Sequence, residues 1–287
     1  MLLRAGVGQQ GLNECLVREI SGERDVEVVN VLIEYGASCA HDGGKSLELA
    51  IRFHDIGILN QLVASSGEHP ILQDVIKSAT KVQDVAWRCA SMSALLKGGA
   101  RGDQVSEALV KEILRPHHRD FQLIQLLVNY GARIDYANAR AIKHVVSSSL
   151  DVDLLKVLVS GTAASNVMSS LVPLAMAHDQ DSRLPLLQVL LENGACGDDV
   201  NAALVKAVSE GVKAQATTLL LLKFNASVNY QQAEAVKVAA LAGSDIILDC
   251  LLSNSHDPKF LPEALRLAVH GPKSRSRTNA SRRLHSV

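Results

Sequence analysis

The sequence predicts an all-α fold, an α-solenoid of stacked helix-turn-helix units. Three observations predict it. The first is a recurring mark: an apolar pair, two further residues, then a small or turn-forming residue, usually Gly followed by Ala. It stands at Leu2-Leu3…Gly6, Leu32-Ile33…Gly36-Ala37, Leu62-Val63…Ser66, Leu95-Leu96…Gly99-Ala100 and Leu127-Val128…Gly131-Ala132. It continues at Leu158-Val159…Thr162-Ala163, Leu190-Leu191…Gly194-Ala195, Leu221-Leu222…Asn225-Ala226 and Leu251-Leu252…Ser255. The steps are 30, 30, 33, 32, 31, 32, 31 and 30 residues, and a fixed period near that length means one supersecondary unit stacked on itself. The second observation is composition: 47% hydrophobic but only 3% aromatic, so Leu, Val and Ala must fill thin helical layers. The third is that apolar residues recur at helical spacing twice within each unit.

Charge and cysteine content narrow the function classes. The formal net charge is −1, so no whole-molecule field draws in nucleic acid. Five scattered cysteines, Cys15, Cys39, Cys89, Cys196 and Cys250, form no CxxC pair and point to free thiols in a reducing compartment. No apolar run reaches membrane-spanning length, and Met1-Leu2-Leu3-Arg4 is too short and wrongly charged for a signal peptide. The expected location is the cytoplasm, with the nucleus as the alternative, and no membrane partner is expected.

Taken in order, the elements read as follows. The chain opens in the last turn of a second helix that ends at the first mark, and residues 12–20 form the next first helix. Lys45 to Ile51 is a first helix, and Ile58-Leu59…Leu62-Val63 its second. The clearest unit runs over residues 225–255. There Ala233 to Leu241 is a first helix with Val236, Ala239 and Ala240 on one face, Gly243 is the breaker, and Ile246, Ile247, Leu248, Leu251 and Leu252 give the second helix. Each mark should sit just past a second helix, in a left-handed residue that reverses the chain; Gly allows this without strain and Asn is the usual substitute. Residues 262–269 resemble a first helix with no second. Both ends therefore read as partial repeats of a longer array, with apolar surface exposed on the helices at 12–20 and 262–269. From Lys273 onward Arg275, Arg277, Arg282 and Arg283 stand among Ser, Thr and Asn. Residues 272–287 thus read as a disordered basic tail.

Loop, short helix, tight turn, second helix, Gly-Ala: this order resembles the ankyrin repeat. Ala235-Val236-Lys237-Val238-Ala239-Ala240-Leu241-Ala242-Gly243 is similar to that family's first helix and turn. Leu251-Leu252-Ser253-Asn254-Ser255 takes the place of its second-helix ending. The resemblance spans residues 1–271. No repeat carries the family's Thr-Pro-Leu-His tetrad, and the interval from mark to first helix is about three residues short, so the fingers between repeats read as compact turns rather than β-hairpins. The resemblance implies a concave face lined by first helices. Such arrays resemble those of large fungal multidomain signalling proteins, which leaves open a sensor arm of an NTPase-linked protein.

A longer period overlies the first. The segment Gly99-Ala-Arg-Gly102-Asp103 through Leu109-Val110-Lys111-Glu112-Ile113 matches Gly194-Ala-Cys-Gly197-Asp198 through Leu204-Val205-Lys206-Ala207-Val208, and Leu16-Val17-Arg18-Glu19-Ile20 joins them. Tyr35, Tyr130 and Phe224 each precede a mark, 95 and 94 residues apart. Tyr136 and Tyr230 stand 94 apart in the following finger. The array reads as a three-repeat block copied about three times.

The most regular polar feature lies 12 residues past each mark, at Arg18, Glu48, Ser78, Lys111, Lys143, Leu174, Lys206, Lys237 and Leu267. Arg18, Lys111, Lys143, Lys206 and Lys237 make a ladder of cations that would face an acidic protein partner. The same pattern would also arise from a solvated edge whose aliphatic stems cover the apolar stripe. Tyr136 and Tyr230 are the aromatic contact candidates, and Asp103, Asp135, Asp198 and Asn229, four past their marks, should make turn and capping hydrogen bonds. Gly6-Val-Gly8-Gln-Gln-Gly11 fits a dinucleotide loop, but it falls in the first finger rather than after a strand. His117-His118 with Asp120 is the one tight His/carboxylate cluster, and it lacks third and fourth ligands at metal spacing. No nucleophile–base set is readable. The expectation is a non-catalytic protein-binding scaffold with no cofactor, metal, small-molecule or nucleic-acid ligand. An enzyme with a nucleotide or metal site is the alternative from another class.

Overall fold

The structure, a computed structural model, describes residues 8–116, 119–161, 165–254, 258–260, 262–263 and 266. Among these the chain is all-helical, with no strand. The first eight helices are α1 (Gln9–Ser21), α2 (Val26–Glu34), α3 (Lys45–Arg52), α4 (Ile56–Ser66), α5 (Ile71–Thr80), α6 (Val85–Lys97), α7 (Asp103–Ile113) and α8 (Phe121–Asn129). The next eight are α9 (Tyr136–His144), α10 (Val152–Val159), α11 (Ser165–Ala175), α12 (Gln180–Glu192), α13 (Asp198–Ser209), α14 (Gln215–Lys223), α15 (Tyr230–Ala242) and α16 (Asp245–Leu252). Odd helices are the first of each repeat and even helices the second. A single wide π-type turn, Val145–Ser149, follows α9.

Two compact units divide the chain: Met1–Ile142 with Ser160–Thr162, and Lys143–Val159 with Ala163–Val287. In the first, α1, α3, α5 and α7 pack successively as one layer and α2, α4, α6 and α8 as another, each odd helix against its even partner. In the second, α11, α13 and α15 make one layer and α10, α12, α14 and α16 the other. The odd helices build their layer with i,i+4 apolar pairs, which share a face. Leu16/Ile20, Leu47/Ile51, Leu72/Ile76 and Leu109/Ile113 are all buried, as are Met168/Val172, Leu204/Val208 and Val236/Ala240.

The recurring mark is a helix-closing motif. At Gly36 (φ 97°), Gly99 (φ 103°), Gly131 (φ 85°), Gly194 (φ 90°) and Asn225 (φ 61°) the backbone is left-handed. In each case two amides turn back on the apolar pair. The Gly131 N–H donates to Val128 O and the Ala132 N–H to Leu127 O, both at 3.0 Å. The same two bonds recur at Gly36-Ala37, Gly99-Ala100, Gly194-Ala195 and Asn225-Ala226. This is the 6→1 and 5→2 pairing that satisfies the last carbonyls of a helix. The Ala after each mark is buried, which gives the motif its apolar contact. The Ser66 mark departs from the expectation: Ser66 is the last residue of α4, its hydroxyl donates to Val63 O at 2.7 Å, and positive φ falls on the next residue, Gly67 (φ 56°). The marks at Gly6, Thr162 and Ser255 lie outside the described residues.

The first six even helices, α2 to α12, begin after a capping aspartate, whereas Ala214 and Ser244 precede α14 and α16. Asp25, Asp55, Asp84, Asp120, Asp151 and Asp179 each accept a hydrogen bond from an amide two or three residues on, at 2.6–3.1 Å, satisfying donors that the helix leaves open. Capping thus belongs to this series and not to the one four past the marks. Asp103 and Asp198 are the first residues inside α7 and α13, because Gly102 (φ 90°) and Gly197 (φ 83°) occupy the cap position. From there Asp103 lies 3.8 Å from Arg133, which also meets Asp135 at 3.4 Å.

The fingers are compact turns, as their short length requires, and three share an unusual backbone. Asp42-Gly43-Gly44, Ala137-Asn138-Ala139 and Gln231-Gln232-Ala233 are all left-handed, with φ between 49° and 81°. They stand at the block period, 95 and 94 residues apart. For a residue with a Cβ this costs about 1–2 kcal/mol, so surrounding contacts must hold it. Ala139 and Ala233 are buried, and a side chain from the preceding odd helix grips each finger by its backbone. Asn13 accepts from the Ser38 N–H at 2.7 Å, Ser106 from Arg133 at 3.0 Å, Ser169 from Cys196 at 3.0 Å and Asn201 from Ser227 at 2.7 Å. The gripped amide is always the one two past the mark.

At α1 the structure differs from expectation: Leu12, Leu16 and Ile20 are buried. The exposed apolar stripe lies instead on the even helix beside it, with Val28, Val31 and Tyr35 at 40, 39 and 47% exposure. Helix α2 has an even-layer neighbour, α4, on one flank, and no described even helix on the other. The helix expected at 262–269 and the tail at 272–287 lie outside the described residues, apart from isolated positions.

Two measurements check this account. Leu127 and Leu190 are fully buried, so Leu127→Ala or Leu190→Ala should cost about 2–5 kcal/mol in urea unfolding. At Gly131 an added Cβ would meet nothing within 4 Å, so Gly131→Ala isolates backbone strain. It should cost about 1–2 kcal/mol, whereas Asn225→Gly should leave stability unchanged or raise it. A neutral Gly131→Ala would remove the helix-closing role of the mark.

Candidate binding surface

The last turns of the odd helices collect basic residues. Arg18 lies in the last turn of α1, Arg52 of α3, Lys77 of α5, Lys111 of α7, Lys143 of α9 and Lys206 of α13. This position suits a cation because the helix C-terminus carries about half a negative charge. Arg18, Lys111 and Lys206 hold corresponding places in α1, α7 and α13, as the block period requires.

The ladder is more tethered than the sequence suggested. Arg18 is exposed. Lys111 reaches Glu107 of its own helix at 2.8 Å, and that hydrogen bond holds the Glu107 carboxyl below its ordinary range. Lys206 spans a whole repeat to donate to Met176 O at 2.8 Å, just beyond the end of α11. The Lys237 side chain is only 15% exposed and lies 3.8 Å from Glu234. Lys143 is half-buried. Where the ladder position is not basic, Ser78 Oγ donates to Glu48 Oε1 at 3.0 Å across α5 and α3. Tyr136 and Tyr230 are half-buried, and each directly precedes one of the left-handed turns; Gln231 Nε2 donates to the Tyr230 hydroxyl at 3.3 Å.

Between the last turns of α3 and α5 the first unit opens into a cleft of about 420 Å³. Leu49, Ile51 and Val82 line it with Lys45, Glu48, Arg52, His54, Ser78, Lys81, Gln83 and Asp84. Two of the lining residues meet Trp87: its indole N–H donates to Ile51 O at 2.7 Å, and the His54 ring lies 5.1 Å from its ring. Sequence reading missed Arg52 and Lys81 because they fall one turn past the ladder position. The signal was present: each follows, by three or four residues, a ladder position that is not basic, Glu48 and Ser78.

One wall of the cleft is set by a buried cation. Arg88 is 1% exposed and lies 3.0 Å from Glu112, itself 3% exposed. Its Nη1 donates to Val82 O at 3.0 Å and Gln83 O at 3.2 Å, so it grips two residues of the lining. Glu112 also receives Arg115 and the Asp120 N–H. The second unit repeats the device 95 residues on: Arg183 donates twice to His178 O and pairs with Glu210. Neither arginine was singled out from the sequence, where a charge inside an apolar helix gives no sign of its partner.

The remaining sequence features fall as follows. Gly8 caps α1 and Gly11 lies inside it. His117 and His118 lie outside the described residues, and Asp120 serves as the α8 cap. Among the described residues no group of three or more His, Cys, Asp or Glu is placed to hold a metal ion. All five cysteines are free; burial pushes the Cys39 and Cys89 thiols up, with Asp120 adding to the effect at Cys89. No described helix is long and apolar enough to cross a membrane.

No protein-family model matches the chain, and no curated protein matches it.

Because removing one partner of a buried pair strands the other charge, Arg88→Met should cost about 3–5 kcal/mol. Arg183→Met should cost less, since Glu210 keeps 33% of its side chain in water. Urea titrations of the two variants give the comparison, and equal costs would mean that burial of the acid is not the controlling factor.

Proposed function

We propose that this chain is a non-catalytic protein-binding scaffold: a degenerate ankyrin-like α-solenoid that receives an acidic protein partner along the first-helix layer and the finger tips. The observation that carries the reading is repetition. Within the first unit Arg18, Arg52, Lys77 and Lys111 occupy the last turns of four odd helices packed in succession. Lys206 and Lys237 stand on the adjacent α13 and α15 of the second. A row of like groups one repeat apart suits an extended partner that meets each repeat in the same way. Tyr136 and Tyr230 add aromatic contact area beside the fingers. The reading takes no cofactor and places the protein in the cytoplasm or nucleus.

Affinity capture with the full chain tests it. Reversal of Lys111, Lys143, Lys206 and Lys237 to Glu should weaken the captured partner at least about tenfold and flatten its salt dependence. Helical circular dichroism should stay intact. A partner held equally by the reversed chain would overturn the proposed surface.

A further inference from the structure

We infer that the cleft between α3 and α5 is a subsite for an aspartate or glutamate side chain of an acidic peptide lying across the odd-helix layer. The inference rests on the protein-binding reading above and names the chemistry and the place of contact.

The charges of the cleft are unevenly committed. Glu48 already accepts from Ser78 at 3.0 Å and lies 3.9 Å from Lys45. Asp84 is spent on the N-terminus of α6, accepting from the Trp87 N–H at 2.6 Å. Arg52 and Lys81, by contrast, are exposed, and neither has an acidic partner among the described residues. Both cations line the cleft, Arg52 at the end of α3 and Lys81 just past the end of α5.

One effect opposes an anion here. Helices α3 and α5 both end at the cleft, and each C-terminus carries about half a negative charge. Those carbonyls are largely occupied. Ile51 O accepts from the Trp87 indole, Ala50 O from the Asp55 N–H, Thr80 O from Arg115 at 3.0 Å and Ala79 O from the Val82 N–H. Two full charges therefore outweigh what remains of two half-charges. The apolar lining of Leu49, Ile51 and Val82 lowers the local polarisability and strengthens the pairing. The volume lies at the low end of the roughly 300–1,000 Å³ typical of ligand clefts, room for a side chain and a short stretch of backbone.

A peptide fits this layer better than a nucleic acid. The same odd helices carry Glu14, Glu48, Asp74 and Glu107 between the cations. A phosphate backbone presents negative charge at every step and would meet each of these. A peptide can place its acids at Arg18, at the Arg52–Lys81 cleft and at Lys111, with neutral residues between.

The test uses the full chain and a fluorescein-labelled peptide of about a dozen residues with Glu at every third position, an all-Gln counterpart, and a single-stranded oligonucleotide. The acidic peptide should bind in low salt and weaken steeply as salt rises. The Arg52→Glu/Lys81→Glu variant should lose at least about tenfold, and Lys223→Glu on α14 should lose nothing. Both side chains are exposed, so circular dichroism should match the parent; Arg52→Gln/Lys81→Gln gives a milder check with an intermediate loss. Equal binding by the Glu variant, tighter binding of the oligonucleotide than of the acidic peptide, or equal binding of the Gln peptide would each overturn the inference. If affinity capture still depends on the lysine ladder while the acidic peptide fails to bind, the subsite falls and the scaffold reading stands. If both fail, both fall.

Discussion

Everything regular in this molecule depends on how the even helices close. An α-helix ends with carbonyls that have no intrahelical donor. Here the apolar pair supplies those carbonyls, and the Gly-Ala step supplies the donors. The five observed closures place one residue in left-handed geometry and bury the next, an Ala, in the motif's apolar contact. Any larger residue than Ala would crowd that contact, and most residues other than Gly or Asn would strain the turn. One short pattern therefore sets helix length, chain reversal and repeat period together. The rest of the repeat is hung from it: the finger leaves at a fixed angle, and a polar side chain of the preceding odd helix can reach its second amide.

This explains why the period was legible in the sequence and the fingers were not. The closure has a strict chemical requirement, so its letters recur. The left-handed turns at Ala137-Asn138-Ala139 and Gln231-Gln232-Ala233 contain no Gly, and nothing in their composition signals the conformation. They are imposed by the burial of Ala139 and Ala233 and by the grip of Ser106 and Asn201 on residues upstream, contacts that exist only after the layers have formed. Only the first copy, Asp42-Gly43-Gly44, shows its geometry in its letters. The capping aspartates were visible but were outranked by the more regular series four past the marks. Of that series, Asp103 and Asp198 sit one residue inside their helices, because a left-handed Gly takes the cap, and Asn229 stands at the cap of α15 without a side-chain cap bond.

The site was legible to a similar depth. The spacing falls in the last turn at Arg18, Lys111, Lys143 and Lys206 but mid-helix at Lys237, and spacing carries no information about what a long side chain does next. Lys111 folds back on Glu107, Lys206 reaches along the layer to Met176 O, and Lys237 lies down toward Glu234. Each outcome depends on which acceptor lies within about 6 Å of the stem, a property of packing. The buried arginines were least visible of all. Arg88 and Arg183 look like ordinary helix residues in the sequence, yet each donates to backbone carbonyls just before its own helix, Arg88 to Val82 O and Gln83 O and Arg183 twice to His178 O.

The tethers also rank the cations as contacts. A surface pair such as Lys111–Glu107 is worth about 0.2–1 kcal/mol, so a partner carboxylate can displace Glu107 at small cost, but it must displace it. Lys206 would have to give up a backbone carbonyl, leaving Met176 O to find another donor. Arg52 and Lys81 surrender nothing except water. The even helices α4 and α8 offer no comparable selectivity: neither contains a charged residue, and exposed Ile56 and Phe121 would accept any apolar surface alike. Discrimination between partners requires groups that repel the wrong one as well as attract the right one. The odd layer, with its cations interleaved among Glu14, Glu48, Asp74 and Glu107, carries both.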